Sequence, residues 1–361
     1  MPQPSIPFML IRGGSSKGVF LDASDIPTDI SERDRLLLAI MEGVGQGDKR
    51  QVDGLGGGDS LTSKVAIVGP SSRTDADLDY LFVQIVIGKG MATTAQECGN
   101  ILAGVLPYAM EKGWVQAGER TTTATVHMVN TGSLCEVTVQ SPNGIITYAG
   151  DAKVDGVPGT GAAIVCNHLD VAGSNCGALL PTGNLTDVFD GIRVSCIDNG
   201  MPCVILRAED FGIRAYESKE ELDANDKLKA RLESIRLQAG KVMNLGDVTH
   251  KTVPKMCLLA PPINGGFIHT RTFIPHTCHS SIGVLGAVSV AAACLIPGTV
   301  ADGLQNLDNS FDALQIEHPS GEMTVSMTLE HGVDGIKILQ SGVIRTARPI
   351  ASGTVFLPEN Y

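Results

Sequence analysis

At 361 residues the chain is too long for a single core of ordinary size, and with 43% apolar and 18% charged residues it is too apolar for extensive disorder, so two normal globular domains are expected. A formal net charge of −12 argues against nucleic acid or an anionic membrane surface as a partner, because either requires a basic face. An anionic substrate would have to be met by a few cationic groups concentrated in one place.

Residues 6–11 read as a strand that runs into a glycine-rich turn, RGGSSKG (residues 12–18), with a second strand at 19–21. Ser31 is the expected cap of a helix, SERDRLLLAIMEGVG, supported by Asp34 in its first turn. VDGLGGGDSLTSKVAIV is a glycine-rich loop feeding a strand at 64–68, and residues 79–87 alternate as a strand. CGNILAGVLPYAMEKG (98–113) is apolar on nearly every face as far as Met110, the pattern of a buried helix, and Pro107 should kink it. Strands are expected at about 123–129, 134–140 and 145–149.

The second half repeats this order. VSCIDNGMPCVIL (194–206) is strand–turn–strand, and the DNG of residues 198–200 is a turn signal. Residues 218–239 form an amphipathic helix with Leu228, Leu232 and Ile235 on one stripe, closed by Gly240. VPKMCLLAPP places Lys255 where SLTSKVAIV places Lys64, and a second all-apolar helix is expected to start near His279. NTGSLCEVTV follows the first apolar helix and HPSGEMTVSM the second. The fold class expected is therefore α+β, two pseudo-repeated domains, each a β-layer wrapped around a central apolar helix. The expected domains are 1–187 and 188–344, hinged within 177–187, with a C-terminal strand at about 345–361 packing back on the first. The active site is expected in the cleft between them, at the start of both central helices, where free amides and helix dipoles favour carboxylates.

Nine irregularly spaced cysteines with no CxxC pair argue against a zinc module or a disulfide framework and fit a reducing cytosol. MPQPSIPFML has no basic segment leading a long apolar core, so no signal peptide is expected. The longest apolar stretch, 282–296, falls short of the roughly 18–20 residues that a membrane span needs. The expectation is a cytoplasmic protein with no membrane partner.

Cys98 stands at the start of the first central helix, followed by Gly99, which admits close backbone approach, and Asn100, which can donate to a carboxylate. A helix dipole there would lower the thiol pKa and make a proton shuttle; a free cysteine is otherwise most often core packing. Lys64 sits at the mouth of an apolar strand, where partial burial would favour the neutral amine that a general base requires; the plain alternative is a solvated lysine at a strand end. Ser60, Thr62 and Ser63 beside it are natural carboxylate donors. RGGSSKG lacks the spacing of a phosphate loop and leads into a strand instead of a helix. Arg12, Ser15 and Ser16 suit a carboxylate-binding turn better, since arginine pairs carboxylates in bidentate fashion. Arg271, His276, Cys278, His279 and Ser280 cluster before the second central helix. H-x-C-H fits no common zinc pattern, so carboxylate binding is expected there and no metal. Asn199 would face the cleft if the repeat holds, and His318 reads as a core or turn histidine.

RGGSSKG, DGLGGGDSLTSK, CGNILAG, IDNGMP, PKMCLL and HPSGE resemble, in order and over essentially the whole chain, the signature segments of the PrpF-type isomerases. That family resembles diaminopimelate epimerase in fold and includes 2-methylaconitate isomerases. GALLPTGN, NLGDV, TVPKMCLL and SIGVLGAVSVAAACLI are most similar to its 4-oxalomesaconate tautomerases of aromatic-acid degradation. The resemblance implies a cofactor-independent proton transfer. The lysine of the TSK segment and the cysteine of the CGN segment are its acid–base candidates, here Lys64 and Cys98. The turn more often reads RGGTSKG, where Ser15 keeps the hydroxyl, and the loop GGADS, where Gly58 replaces alanine. Aligning the two central helices leaves Cys98 opposite either Cys278 or His279.

The mechanism expected is loss of a proton from a carbon next to an alkene and a carbonyl, giving a delocalised dienolate. Arg12, Ser15, Ser16, Asn100 and Arg271 would hold the carboxylates of a small unsaturated tricarboxylate. Keto–enol tautomerisation and allylic double-bond migration share that dienolate, and the sequence does not choose between them. The competing readings are a 2-methylaconitate or aconitate isomerase, a non-catalytic polycarboxylate-binding protein, and a racemase with Cys98 opposed to Cys278. A homodimer is an open expectation.

Overall fold

The structure, a computed structural model, describes residues 3–45, 47–307, 313–332 and 335–359. Residues 360 and 361, the end of the expected C-terminal strand, and residues 1 and 2 of the N-terminal segment lie outside the described residues. The chain divides into one unit of residues up to 168 together with those from 345 onward, and a second unit of residues 169–344.

In the first unit, β1 (Ser5–Gly13) and β2 (Ser16–Asp22) form the hairpin around RGGSSKG, with Gly13 paired to Ser16. Helix α1 (Ile30–Glu42) is capped by Asp29 and not by Ser31, because the Asp29 carboxylate reaches the Glu32 amide first and starts the helix earlier. β3 (Lys64–Pro70) lies parallel to β2, with Gly18 beside Lys64. β4 (Leu78–Val86) runs antiparallel to β3 and sets Gln84 opposite Lys64, and β5 (Met91–Thr93) extends β4. The single helix expected at 98–113 is two pieces, α2 (Gly99–Leu102) and α3 (Val105–Glu111). Pro107 has no N–H to offer the Ala103 carbonyl, and the ladder breaks there, one turn before the proline itself. At the break Gly104 packs so closely that a Cβ would stand 2.6 Å from Phe20 Cζ.

β6 (Thr121–Met128) is parallel to β4, and β7 (Ser133–Gln140) is antiparallel to β6. No strand forms at 145–149, which makes only isolated bonds, such as Thr147 N to Gln140 O. A small ribbon follows, β8 (Ala152–Lys153) and β9 (Thr160–Gly161), and then β10 (Ile164–His168), antiparallel to β7. The helix pieces touch β1, β2, β3, β6 and β7, so the strands curve around them.

The second unit opens with β11 (Asp187–Phe189), β12 (Ile192–Asp198) and β13 (Pro202–Arg207). The helix expected at 218–239 is also two, α4 (Lys219–Asp223) and α5 (Asp226–Val242), because the Asn225 side chain accepts from Leu228 N and starts a new helix. Gly240 does not close it. It lies within α5, where a Cβ would meet Val248 Cγ2 at 2.6 Å. β14 (Lys255–Ala260), β15 (Ile268–Phe273), α6 (Val284–Leu295), β16 (Leu314–His318), β17 (Gly321–Gly332) and β18 (Gly335–Arg345) complete the unit. Helix α6 starts at Gly283 and not near His279, because the amides upstream are engaged elsewhere: His279 N on Thr272 O and Ser281 N on His279 Nδ1. It is packed by β12, β13, β16 and β17.

From β12 to β17 the pairings run antiparallel, parallel, antiparallel, parallel, antiparallel. The sequence β1, β2, β3, β4, β6, β7 has the same order, so the duplication extends to strand direction. Residues 169–187 belong to the second unit, whereas the sequence assigned them to the first. Asn175 N and Cys176 N each donate to the Asp198 carboxylate at 2.7 Å, which fastens this segment to β12. The chain ends in the first unit, where β19 (Ala347–Phe356) pairs antiparallel with β1. Among the described residues no helix is long and apolar enough to cross a membrane.

Candidate active site

Lys64 begins β3 and is only 6% exposed. Its Nζ donates to Gln84 Oε1 at 2.7 Å and lies 5.1 Å from the centre of the Phe82 ring. Tyr80, Phe82 and Gln84 alternate along β4 and so share one face. At the other end of this face Tyr80 donates through its hydroxyl to the Cys98 carbonyl at 3.2 Å. One strand face therefore contacts both the amine of Lys64 and the main chain of Cys98, through Gln84 and Tyr80 of β4.

Cys98 occupies the cap position of α2 in an extended conformation and is half-buried. The dipole expected to act on its thiol is curtailed, since α2 has only four residues before the break at Ala103. Gly99 is the first residue of α2, and Asn100 reaches back to the RGGSSKG turn. Asn100 Nδ2 donates to Ser15 Oγ at 3.2 Å and to Ser16 Oγ at 3.5 Å. The glycines of the turn are required by this contact, for a Cβ on Gly14 would stand 2.2 Å from Asn100 Oδ1. Gly18 plays the same part beside Lys64, where a Cβ would meet Ile101 Cδ1 at 3.0 Å and Lys64 O at 3.1 Å. The turn, the start of α2 and the start of β3 thus meet in the first unit. Arg12 supports the turn: its Nη1 donates to Gly14 O, Thr346 O and the Thr346 hydroxyl at 2.9–3.0 Å.

The loop before Lys64 folds over Gln51, which takes a left-handed backbone at φ 53°. Gln51 Oε1 accepts from Gly58 N and from the Ser63 hydroxyl, so Ser63, fully buried, serves the loop. Ser60 is exposed and Thr62 half-buried. The Ser60 and Ser63 carbonyls both accept from Gln84 Nε2.

In the second unit the expected residues are held by their own surroundings. Asn199 is fully buried, its amide donating to Ser341 Oγ and its backbone N–H to Ser289 Oγ on α6. Arg271 Nε donates to Glu217 O, and its Nη1 is 2.7 Å from His269 Nε2. Glu317 accepts from the other nitrogen of that ring, which makes a buried Arg–His–Glu chain. Cys278 N donates to Asp223, and burial pushes the Cys278 thiol up to about 11, which keeps it protonated near neutral pH. His279 is half-buried, and burial lowers its pKa. Its Nδ1 accepts from Ser281 N, so the neutral ring carries its proton on Nε2. Ser280 and His276 are exposed. Among the described residues no group of three or more His, Cys, Asp or Glu is arranged to hold a metal ion.

Sequence reasoning missed Gln84, Phe82 and Tyr80. A signal was present in DYLFVQIV: a polar glutamine stands on the inward face of an otherwise apolar strand, where a buried amide must have partners.

A family model described as "PrpF protein" matches residues 3–358. A 4-oxalomesaconate tautomerase of Pseudomonas putida is 54% identical over 356 residues, covering 98% of this chain and 97% of that protein. A (4E)-oxalomesaconate Delta-isomerase of a Novosphingobium species is 51% identical over 354 residues, covering 98% of each. The crystal structure of a methylitaconate-delta-isomerase superposes with a TM-score of 0.89 at 33% identity, covering 100% of this chain and 97% of the other. With the family match spanning nearly every residue and the duplicated fold shared with a solved relative, this chain belongs to the PrpF family.

Proposed function

We propose that the chain is an isomerase that moves a proton within 4-oxalomesaconate, by keto–enol tautomerisation or by migration of the allylic double bond. The observation that carries this reading is a buried, oriented amine at Lys64 on the strand face that also fixes Cys98, in a chain 54% identical along nearly its whole length to a 4-oxalomesaconate tautomerase. Either Lys64 or Cys98 removes a proton from the carbon flanked by alkene and carbonyl. The other returns a proton at the far end of the three-carbon unit or at oxygen. The electron pair stays delocalised over the dienolate in between, so no cofactor is called for. The hydroxyls of Ser15 and Ser16 and the amide of Asn100, already in mutual contact, are the donors closest to hand for carboxylates and for charge developing on the enolate. All nine cysteines are free, which suits action in the reducing cytoplasm.

The test follows the proton NMR of 4-oxalomesaconate and of 2-methylaconitate in heavy water with purified protein. The expected result is isomerisation of the first, with deuterium entering at the exchanging carbon, and much slower reaction of the second. Lys64→Met should lower kcat by at least about a thousandfold while the protein stays folded. Binding without exchange would make the chain a polycarboxylate-binding protein. Faster turnover of 2-methylaconitate would move the substrate to the smaller acid.

A further inference from the structure

We propose that Gln84 is a positioning residue for Lys64, a neutral hydrogen-bond acceptor that holds the amine in one orientation through the whole proton-transfer cycle. This rests on the reading of Lys64 as an acid–base group. The amide of Gln84 has no freedom to flip. Its Nε2 lies 3.2 Å from Ser60 O, 3.0 Å from Ser63 O and 3.1 Å from Ile85 O, and a carbonyl oxygen turned toward those three would meet only acceptors. The side chain is 8% exposed, and it presents Oε1 to Lys64 Nζ. Lys64 and Gln84 are directly opposed across β3 and β4, so the pair is set by sheet register and not by a mobile loop.

The chemistry of the acceptor matters. Lysine can donate an N–H to a neutral oxygen both as an ammonium and as a free amine. When the proton leaves, one N–H stays on Gln84 and the lone pair is directed elsewhere. A carboxylate in this place would hold the ammonium as an ion pair and oppose its deprotonation. Phe82 closes a second side of the amine, so the exchanging valence points away from both residues. The duplicated unit gives an internal contrast. Lys255 begins β14 as Lys64 begins β3, yet in the antiparallel neighbour Met256 faces Phe273, and the next residue is Ile274, which has no side-chain acceptor. The duplication kept a lysine in both places and an amide beside only one of them.

The test compares Gln84→Met, which keeps length and removes the acceptor, with Gln84→Asn, which keeps the amide but stops short of Lys64. Thermal unfolding establishes that each variant is folded, and should Gln84→Met fail to fold, Gln84→Asn supplies the same readouts. With 4-oxalomesaconate the expected result is a fall in kcat of about 100-fold with KM within about twofold of wild type, the signature of a misplaced catalytic group. Crystal structures of the wild type and of a folded variant should show Lys64 Nζ displaced in the variant. A kcat within about threefold of wild type in the folded variants, a rise in KM that accounts for the loss, or an unmoved Nζ would each overturn the proposal. If the wild type itself leaves 4-oxalomesaconate unchanged, the functional reading falls, and the position of Nζ in the crystal structures still decides the role of Gln84.

Discussion

His168 closes β10 at 5% exposure, and its Nε2 has no hydrogen-bond partner among the described residues. Burial, and then the charge of Arg345, push its pKa down to about 4. An imidazole in the unfolded chain titrates near 6.5, so between these values the unfolded state holds a proton that the folded state does not. Stability from this group is therefore complete above about pH 6.5 and is lost as the pH falls toward 4, a difference on the order of 3 kcal/mol across the window. Urea denaturation between pH 7.5 and 4.5 should show this loss, and His168→Leu should flatten that part of the curve. An unchanged slope would assign the effect to other groups, such as His269, whose pKa burial lowers against the pull of Glu317. The environment of such a residue is not written in the sequence around it. Lys64 and Cys98 drew attention because TSK and CGN sit at boundaries between polar and apolar segments. The polar glutamine in DYLFVQIV marks Gln84 as a buried amide in need of partners, but which groups meet it is set by the pairing of β3 with β4, and the Arg345 charge that acts on His168 comes from far along the chain.

At the level of the element, strands and hairpins were legible wherever alternation and a glycine turn agreed, as at RGGSSKG and at residues 192–207. Helix limits were not, because side-chain caps and missing donors decide them. Asp29 outbid Ser31 by geometry, Asn225 divided one amphipathic run in two, and Pro107 acted at Ala103. Gly104, next to that break, is the residue that precedes α3 and packs against the sheet. A Cβ there would meet Phe20 Cζ at 2.6 Å, Ile11 Cγ2 at 3.1 Å and Phe20 Cε1 at 3.1 Å, all fully buried side chains. Gly104→Ala is expected to destabilise the protein by roughly 1–3 kcal/mol, the usual range for overpacking a dense core. Adding Phe20→Leu should recover part of the loss, because it removes the nearest clashing atoms, and urea denaturation of the two single variants and the double variant measures that coupling. Additive losses would place the strain in the backbone of the break and not against Phe20.

For the whole molecule, the duplication was legible because it is written as order: turn, lysine strand, apolar helix and hairpin recur in sequence, and strand direction recurs with them. The point of division was not, since residues 169–187 carry turn-like composition and the bonds that tie them to the second unit, among them Asn175 N and Cys176 N to the Asp198 carboxylate and Asn244 Nδ2 to Cys176 O, come from residues distant in the chain. Net charge is the remaining property of the whole chain that bears on function. At −12 the chain repels a tricarboxylate at long range, and the local donors of the site act only once the substrate has arrived. Screening the long-range field should therefore help encounter. Raising salt from about 10 to 150 mM shortens the Debye length from roughly 30 to 8 Å, which removes most of the repulsion while leaving contacts within the site intact. If 4-oxalomesaconate is the substrate, kcat/KM should rise by about twofold or more over this range, with kcat nearly constant because the bound state is little screened. A fall in kcat/KM with salt would mean that a local cationic field around the site outweighs the charge of the whole chain. Stopped-flow or initial-rate measurements at low substrate concentration, with an inert salt that does not compete for carboxylate sites, distinguish the two signs directly.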